Sequence, residues 1–246
     1  SATFFTAQVD FAEAGDLKLF LGDETMGLLD QITRDTGVLD GRYMAATFNL
    51  LRGRDLIWNY VVNNYLLGNE PAPFDLLHWN SDVTNLPAGW HRDYLETLYK
   101  QNKLVTKGGI SVAGTPIDLT TIATPAYIQA GREDHIAPPE SVWKIMRLLA
   151  GPKRFVLAGS GHIAGVVNPP AAGKYQYWVI DAEPAPASLD EFVDGAREIK
   201  GSWWPDWLEW LKGVDATTVP AAGARIPGKG KLKAIEEAPG RYVKAR

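Results

Sequence analysis

The residues best suited to catalysis are an aspartate and a histidine that each follow a short apolar run. Residues 126–130 and 154–158 have the length and the β-forming composition of buried strands. Asp134 comes soon after the first run, and His162 comes soon after the second. An aspartate that orients a histidine lets the imidazole remove a proton from a nucleophile. The pair therefore predicts general-base catalysis, in which Asp134 holds His162 and His162 carries the proton.

The segment between the two runs predicts how these side chains are brought together. Residues 138–152 have two prolines at the start, apolar residues at helical spacing and a Gly-Pro pair at the end, which is typical of one helix. Two parallel strands joined by a helix have their carboxyl ends at the same sheet edge, where ligands bind in α/β folds. We therefore expect Asp134 and His162 to meet there. In the chain order of an α/β hydrolase, they would be the last two members of a nucleophile, acid and histidine triad.

The same two residues also have a simpler interpretation. An aspartate after a strand often only forms a turn or caps a helix, and a histidine flanked by glycines is often an exposed loop residue. The pattern by itself leaves both interpretations open.

The overall composition argues against several classes of function. The 246 residues are 46% apolar, carry a formal net charge of −4, and include four histidines and no cysteine. Such a chain is not expected to bind nucleic acid, which needs a basic surface. Without cysteine there is no disulfide or thiolate metal site, and the scattered histidines form no ligand pattern, so no metal is expected. No apolar run predicts a transmembrane segment and no signal peptide is recognised, so a cytoplasmic protein is expected.

Several long motifs run in order along the chain. They are GRDLIWNYVVNNY from Gly53, PFDLLHWN from Pro73, GREDHI from Gly131, GSGHIAGVVNPP from Gly159, GSWWPDW from Gly201 and PGRYVK from Pro239. Together they resemble the C-terminal part of class I polyhydroxyalkanoate synthases, the enzymes that make poly-3-hydroxybutyrate and related polyesters. The resemblance extends from near Phe4 to Arg246 and is highly specific.

The resemblance implies an α/β-hydrolase-like fold and an acyltransferase that polymerises (R)-3-hydroxyacyl-coenzyme A into polyester with release of coenzyme A. In that family the nucleophile is a cysteine in a Gly-x-Cys-x-Gly motif, and Asp134 and His162 match its catalytic Asp and His. No cofactor is implied, because coenzyme A is part of the substrate. The resemblance also implies a homodimer formed through a lid, with the growing polyester chain and a polymer granule surface as partners.

One departure from the family pattern is large. The chain has no cysteine, and neither Gly-x-Cys-x-Gly nor Gly-x-Ser-x-Gly occurs in it. The family has this motif upstream of the segment TFFT, which begins here at Thr3. We therefore expect the chain to be a C-terminal piece that supplies the Asp and His of a Cys-His-Asp triad, lacks the nucleophile and is inactive alone.

The sequence predicts four regions, each with its own composition. Residues 1–15 contain a core strand of a truncated α/β-hydrolase domain, and residues 16–105 form a helical lid inserted into it. Residues 106–215 complete the hydrolase core. Residues 216–246 form a C-terminal tail rich in Ala, Gly, Pro and Lys.

Three further residues are candidates for substrate binding. Trp79 and Asn80 lie in an aromatic and polar stretch of the lid, where an apolar wall with an indole N–H suits an acyl and pantetheine channel. His135 lies beside Asp134 and is a candidate for positioning coenzyme A or the end of the polymer chain. Two of them also have a structural interpretation, in which Trp79 pins the lid to the sheet and His135 packs within its loop.

Local patterns predict the remaining parts of the core. Residues 107–118 favour a β-hairpin that turns at Gly114 and Thr115. Residues 174–187 are interpreted as a surface passage, and Ser188 opens a capping box and a helix that runs to about residue 200. The indoles that follow either pack the terminal helix on the sheet or stack against a polymer. These indoles are Trp203, Trp204, Trp207 and Trp210.

Two other functions remain open. A serine esterase or depolymerase of the same fold would need a serine on a sharp turn between a strand and a helix, and Ser81, Ser111 and Ser160 lack that setting. A non-catalytic module would use the lid and the Trp-rich C-terminal segment for dimer or granule contacts, and would retain Asp134 and His162 without a catalytic role.

Overall fold

The computed structural model describes residues 1–51, 53–71, 82–181, 185–220, 222–223, 226, 228–238 and 240–241. The strands are β1 (Ala2–Phe5), β2 (Val38–Leu39), β3 (Leu86–Pro87), β4 (Ser111–Val112), β5 (Thr115–Pro116), β6 (Ala126–Gly131), β7 (Lys153–Ala158), β8 (Gln176–Val179) and β9 (Arg197–Lys200). The α-helices are α1 (Asp23–Thr33), α2 (Gly41–Leu51), α3 (Ala88–Tyr94), α4 (Pro139–Trp143), α5 (Ile145–Leu148), α6 (Leu189–Gly195) and α7 (Trp204–Val214). Short 3-10 segments cover Phe11–Glu13, Gly15–Phe20, Lys103–Val105, Leu119–Thr121 and Pro170–Ala172, and π-helical segments cover Arg54–Trp58, Val61–Leu66 and Leu95–Lys100.

Five of the strands form one mixed sheet in the order β1-β6-β7-β8-β9. Strands β1, β6 and β7 run parallel, and β8 and β9 are added in antiparallel orientation. Every residue of β6 is buried, which is typical of a strand inside a parallel sheet that is covered on both faces. The predicted α/β class is confirmed, and so is the unit of two parallel strands with a helical crossover. β1 is the predicted N-terminal strand and lies at one edge of this sheet.

An apolar core cluster lies between one face of the sheet and the helices that cover it. The Trp143 ring of α4 packs edge-on against Phe155 of β7, with the ring centres 4.7 Å apart, and Phe155 packs edge-on against Phe192 of α6 at 5.0 Å. All three side chains are buried, as is Ile128 of β6. Burial of side chains of this size stabilises a fold by roughly 1.5–3 kcal/mol each. The cluster therefore holds β6 and β7, and the loops that follow them, in a fixed relation.

The crossover between β6 and β7 differs in one detail from its prediction. The sequence predicts one helix over residues 138–152, and the structure contains α4 and α5, separated at Lys144. The Lys144 ammonium lies 3.5 Å from the Asp10 carboxylate and 3.4 Å from that of Glu13. The interruption thus coincides with ion pairs that join the crossover to the segment after β1.

Two stretches of the C-terminal half do not have their predicted structure. The predicted surface passage at residues 174–187 contains β8, in which Tyr177, Trp178 and Val179 are buried. The helix predicted to reach about residue 200 ends at Gly195, and the next residues form β9. Both predictions are wrong because β8 pairs with β7 and β9 pairs with β8, and pairing with a distant segment outweighs weak local preference.

Two predictions from local sequence are confirmed. β4 and β5 pair antiparallel, and the turn between them lies one residue earlier than predicted, at Ala113 and Gly114, which have φ angles of 49° and 81°. Two residues with positive φ are typical of the mirror-image turns that suit hairpins. Ser188 caps α6, because its hydroxyl oxygen accepts a hydrogen bond from the Glu191 backbone N–H at 3.1 Å. The Glu191 carboxylate accepts in turn from the Ala187 N–H at 2.8 Å.

A small polar network joins Asn102, near the end of segment 16–105, to residues that precede this segment. The Asn102 side-chain oxygen accepts from the Phe11 N–H at 2.8 Å, and its amide N–H donates to the Asp10 carboxylate at 2.8 Å. Burial of Asp10 opposes its ionisation, but hydrogen bonds from a backbone N–H and from Asn102, with the charge of Lys144, outweigh burial and lower the pKa of that carboxyl. The ionised network contributes stability at neutral pH, and this contribution is lost as the pH falls through the lowered pKa.

The chain divides into two units, Ser1–Pro205, which holds the sheet, and Asp206–Arg246. The second unit begins within α7, and its described residues beyond Val214 contain no α-helix or strand. Leu232 and Ile235 there are 86% and 91% exposed.

Two glycine substitutions separate backbone crowding from helix propensity. Gly15 has a φ of +67°, and a Cβ at this position would lie 2.9 Å from the His135 carbonyl oxygen. Gly15→Ala therefore introduces both backbone strain and a clash, and we expect it to lower the free energy of unfolding by about 2 kcal/mol. Gly27 lies inside α1 with open space where its Cβ would be, and Gly27→Ala should raise that free energy by about 1 kcal/mol. Urea denaturation measures both changes, and a stabilising Gly15→Ala would contradict the described contact.

Candidate active site

Asp134 and His162 lie side by side at the sheet edge where β6 and β7 end. The His162 Nδ1 atom is 2.8 Å from Asp134 Oδ2. The Asp134 side chain is fully buried, whereas the His162 side chain is 33% exposed. One side of the imidazole is therefore held by a buried carboxylate, while the ring retains access to solvent.

Asp134 receives hydrogen bonds on both of its carboxylate oxygens. Its Oδ1 accepts from the backbone N–H groups of Ile136 and Ala137, each at 2.9 Å, and its Oδ2 faces His162. Because a carboxylate offers only acceptors, the hydrogen between Oδ2 and Nδ1 belongs to His162. In the neutral ring, Nε2 of His162 is then an acceptor, which is the form that a general base requires.

The two loops that carry these residues are joined through their backbones. The Arg132 N–H donates to the Ala158 carbonyl at 2.8 Å, and the Glu133 N–H donates to the Ser160 carbonyl at 3.1 Å. A Cβ on Gly131 would lie only 3.0 Å from the Ser160 carbonyl oxygen, so a glycine allows the loops to approach this closely. These bonds continue the β6 and β7 pairing beyond the strands, and the sheet therefore sets the distance between the aspartate and the histidine.

The chain that follows β1 supports the aspartate loop. The Gln8 side-chain N–H donates to the Ile136 carbonyl at 3.0 Å, and the Thr6 N–H donates to the carbonyl of Gln129 in β6 at 2.8 Å. No local sequence pattern marks Gln8 as a site residue, because its partner lies 128 residues away.

The histidine loop is supported by two indole rings. The Trp203 Nε1–H donates to the Gly165 carbonyl at 2.8 Å, and the Trp204 Nε1–H donates to the Val166 carbonyl at 3.0 Å. The sequence leaves packing and polymer stacking open for these two residues and gives no signal for the hydrogen bonds, since each bond spans 38 residues.

The other predicted site residues are His135, Trp79 and Asn80, and the structure describes only the first of them. His135 adjoins Asp134 in the same loop, is partly buried, and has its carbonyl oxygen against Gly15. Trp79 and Asn80 lie outside the described residues. The predicted roles of these three residues in substrate binding therefore rest on the sequence.

A carboxylate-held imidazole accepts a proton and returns it to a nearby group. A covalent reaction also needs a nucleophile within hydrogen-bond reach of Nε2. The chain itself holds no cysteine for this purpose.

Over the described ranges, no three His, Cys, Asp or Glu side chains cluster as ligands for a metal ion. Over the same ranges, no helix combines the length and the apolar character needed to cross a bilayer.

The chain is similar to known proteins along its whole length. Residues 15–169 match the family with the α/β hydrolase fold. The chain is 49% identical over 246 residues to the poly(3-hydroxyalkanoate) polymerase subunit PhaC of Rhizobium meliloti, and 48% identical over 252 residues to that of Cupriavidus necator. It is 40% identical over 248 residues to the poly(3-hydroxyalkanoate) polymerase 2 of Ectopseudomonas oleovorans.

These relatives are much longer than the chain. The alignments cover all of the chain but 39%, 42% and 43% of the three relatives. The chain therefore spans about two fifths of the length of the curated relatives that it matches.

Replacement of the buried carboxylate tests its three hydrogen bonds. In Asp134→Asn the amide nitrogen donates instead of accepting, so the charge-assisted hydrogen bonds to the carboxylate are lost and a neutral His162 must move its hydrogen to Nε2. We expect the free energy of unfolding to fall by about 2 kcal/mol, measured by urea denaturation. Glu133→Gln makes the same charge change on the exposed neighbour and should alter stability by less than about 0.5 kcal/mol. Equal effects of the two substitutions would contradict the described geometry.

Proposed function

Because the chain belongs to the poly(3-hydroxyalkanoate) polymerase family, within the α/β hydrolase fold, we propose that it supplies the acid–base half of an acyltransferase. This enzyme polymerises (R)-3-hydroxyacyl-coenzyme A into polyester and releases coenzyme A. The observation that carries the proposal is the 2.8 Å contact between His162 Nδ1 and the buried Asp134 carboxylate. The names of the relatives support the reaction class, and the contact supports the roles of the two residues.

The first proposed step transfers an acyl group to a thiol. His162 Nε2 removes the proton of a cysteine S–H group, and the thiolate attacks the thioester carbonyl carbon of the hydroxyacyl-coenzyme A. The bond from that carbon to the coenzyme A sulfur breaks, and this sulfur takes the proton from the imidazolium. One thioester is exchanged for another, so the step is close to isoenergetic in bond type.

The second proposed step lengthens the polyester. His162 Nε2 removes the proton of a hydroxyl group, and the hydroxyl oxygen attacks the acyl carbon of the cysteine thioester. An ester bond forms, the carbon–sulfur bond breaks, and the cysteine sulfur regains a proton from the imidazolium. Each cycle therefore consumes one hydroxyacyl-coenzyme A and releases one coenzyme A.

Asp134 has two candidate roles, to orient His162 or to activate the hydroxyl itself. The geometry favours the first role, because the Asp134 side chain is fully buried and both of its oxygens already accept hydrogen bonds. We propose that Asp134 holds the Nδ1–H tautomer of His162 and stabilises the imidazolium that forms in each step.

We propose that the cysteine belongs to a part of the polymerase upstream of Ser1. The chain contains no cysteine, and its relatives are more than twice as long, which supports this proposal. Contacts of Trp79, Asn80 and His135 with the substrate stay predictions. The lid role of residues 16–105, a homodimer through it, action at a granule surface and a cytoplasmic setting also stay predictions from the family resemblance.

Release of coenzyme A tests whether this chain supplies the base while another part of a polymerase supplies the nucleophile. The 246-residue chain alone should release no coenzyme A from (R)-3-hydroxybutyryl-coenzyme A, because it lacks the nucleophile. A chimera in which the chain replaces the matching part of the Cupriavidus necator relative should be active. In that chimera His162→Ala should lower the rate about 10³-fold, as expected for loss of a general base.

His91→Gln is the matched control in the same chimera. His91 lies on α3, far along the chain from both site loops, and its substitution should leave the rate within about twofold. Coenzyme A release by the chain alone would refute the absence of a nucleophile. An active His162→Ala chimera would refute the role of His162 as the base.

A further inference from the structure

The loop that carries His162 has no regular secondary structure between the end of β7 and residue 169. Backbone hydrogen bonds inside the loop hold it in consecutive turns, and the bond that reaches the residue before His162 runs from the Gly165 N–H to the Gly161 carbonyl at 2.8 Å. Gly161 directly precedes His162. The Gly165 peptide is therefore one of the groups that set the position of the imidazole.

The Gly165 peptide is held by Trp203. The indole Nε1–H donates to the Gly165 carbonyl at 2.8 Å, and Trp203 is only 1% exposed while Gly165 is also buried. A buried carbonyl that loses its donor is not compensated by water, so this bond is costly to break. Trp203, Gly165 and Gly161 thus form a short hydrogen-bonded path that ends one residue from the base.

The Trp203 ring is fixed on its other side by the sheet. Its ring centre lies 5.4 Å from that of Phe5 in β1 and 6.0 Å from that of Tyr127 in β6. β6 is the strand that leads to Asp134. Trp203 therefore joins the loop of the histidine to the strand of the aspartate, on a path separate from the hydrogen bond between the two residues.

Trp204 adds a second, weaker attachment. Its Nε1–H donates to the Val166 carbonyl at 3.0 Å, and its backbone N–H donates to the Ser202 hydroxyl oxygen at 3.1 Å. The Gly201 N–H donates to the Tyr175 carbonyl at 2.9 Å, which ties the start of this segment to the residue before β8. Hydrogen bonds at Gly201 and Ser202 therefore hold the segment that carries the two indoles.

We propose that Trp203, assisted by Trp204, is a positioning residue for the general base His162. Its indole N–H holds the loop in the position at which His162 Nδ1 lies within hydrogen-bond distance of the Asp134 carboxylate. The inference rests on the proposed function, in which that contact prepares Nε2 to accept a proton. Trp203 acts through the loop and does not touch the reacting atoms.

The test is Trp203→Phe in the 246-residue chain, which keeps an aromatic ring and removes the donor. Proton NMR follows the His162 Nδ1–H resonance, and hydrogen exchange follows the backbone N–H groups of residues 165–167. We expect the wild-type chain to show a hydrogen-bonded Nδ1–H. In Trp203→Phe this resonance should broaden or disappear, and the loop N–H groups should exchange about tenfold faster.

Trp58→Phe is the matched control, because Trp58 is 63% exposed on the π-helical segment Arg54–Trp58. It should change neither the resonance nor the exchange of the loop. A wild-type chain without a bonded Nδ1–H would defeat the proposed function itself. A bonded Nδ1–H that is unchanged in a folded Trp203→Phe chain would defeat only the role of Trp203.

A second variant decides the case in which Trp203→Phe does not fold. Trp204 is only partly buried, so Trp204→Phe removes one loop attachment with less loss of packing. It should speed exchange of the Val167 N–H by about threefold and weaken the His162 resonance in the same direction. An unchanged resonance in Trp204→Phe would then overturn the inference.

Discussion

The site depends on the buried carboxylate of Asp134, both oxygens of which accept hydrogen bonds. Asp134 is withdrawn from solvent, and a buried charge is stable only when donors replace the lost water. Two backbone N–H groups donate hydrogen bonds to Oδ1, and His162 donates one to Oδ2. The carboxylate therefore fixes the tautomer of the histidine and is itself fixed by its own loop. A site with the histidine elsewhere would leave Asp134 short of a donor.

The fold supplies this geometry through the sheet more than through the loops. β6 and β7 are adjacent and parallel, so the segments after them begin at the same edge, and backbone bonds from Arg132 and Glu133 carry the pairing onward. Each loop also receives side-chain hydrogen bonds from another segment of the chain. Gln8 holds the aspartate loop, and Trp203 with its neighbour Trp204 holds the histidine loop. The aspartate and the histidine are thus positioned by four separate segments of the chain.

The sequence was sufficient for the parts of this arrangement that are local. The apolar runs of β6 and β7, the cap at Ser188 and the hairpin near Gly114 each carry their own signal within a few residues. The strands β8 and β9 do not, because their stability comes from pairing with β7 and with each other. The bonds from Gln8 and Trp203 are hidden for the same reason. A donor and a carbonyl that lie far apart in the chain form no local sequence pattern, so the residue types alone do not reveal the hydrogen bond between them.

The most direct test of the account is the tautomer of His162 in the folded chain. Two-dimensional NMR that correlates the ring nitrogens with the ring carbon-bound hydrogens distinguishes a protonated Nδ1 from a protonated Nε2. When the ring is neutral, the pairing with Asp134 predicts hydrogen on Nδ1 and a bare Nε2. Hydrogen on Nε2, or the rapid averaging of an unattached ring, would contradict the pairing with Asp134 on which the proposed chemistry depends.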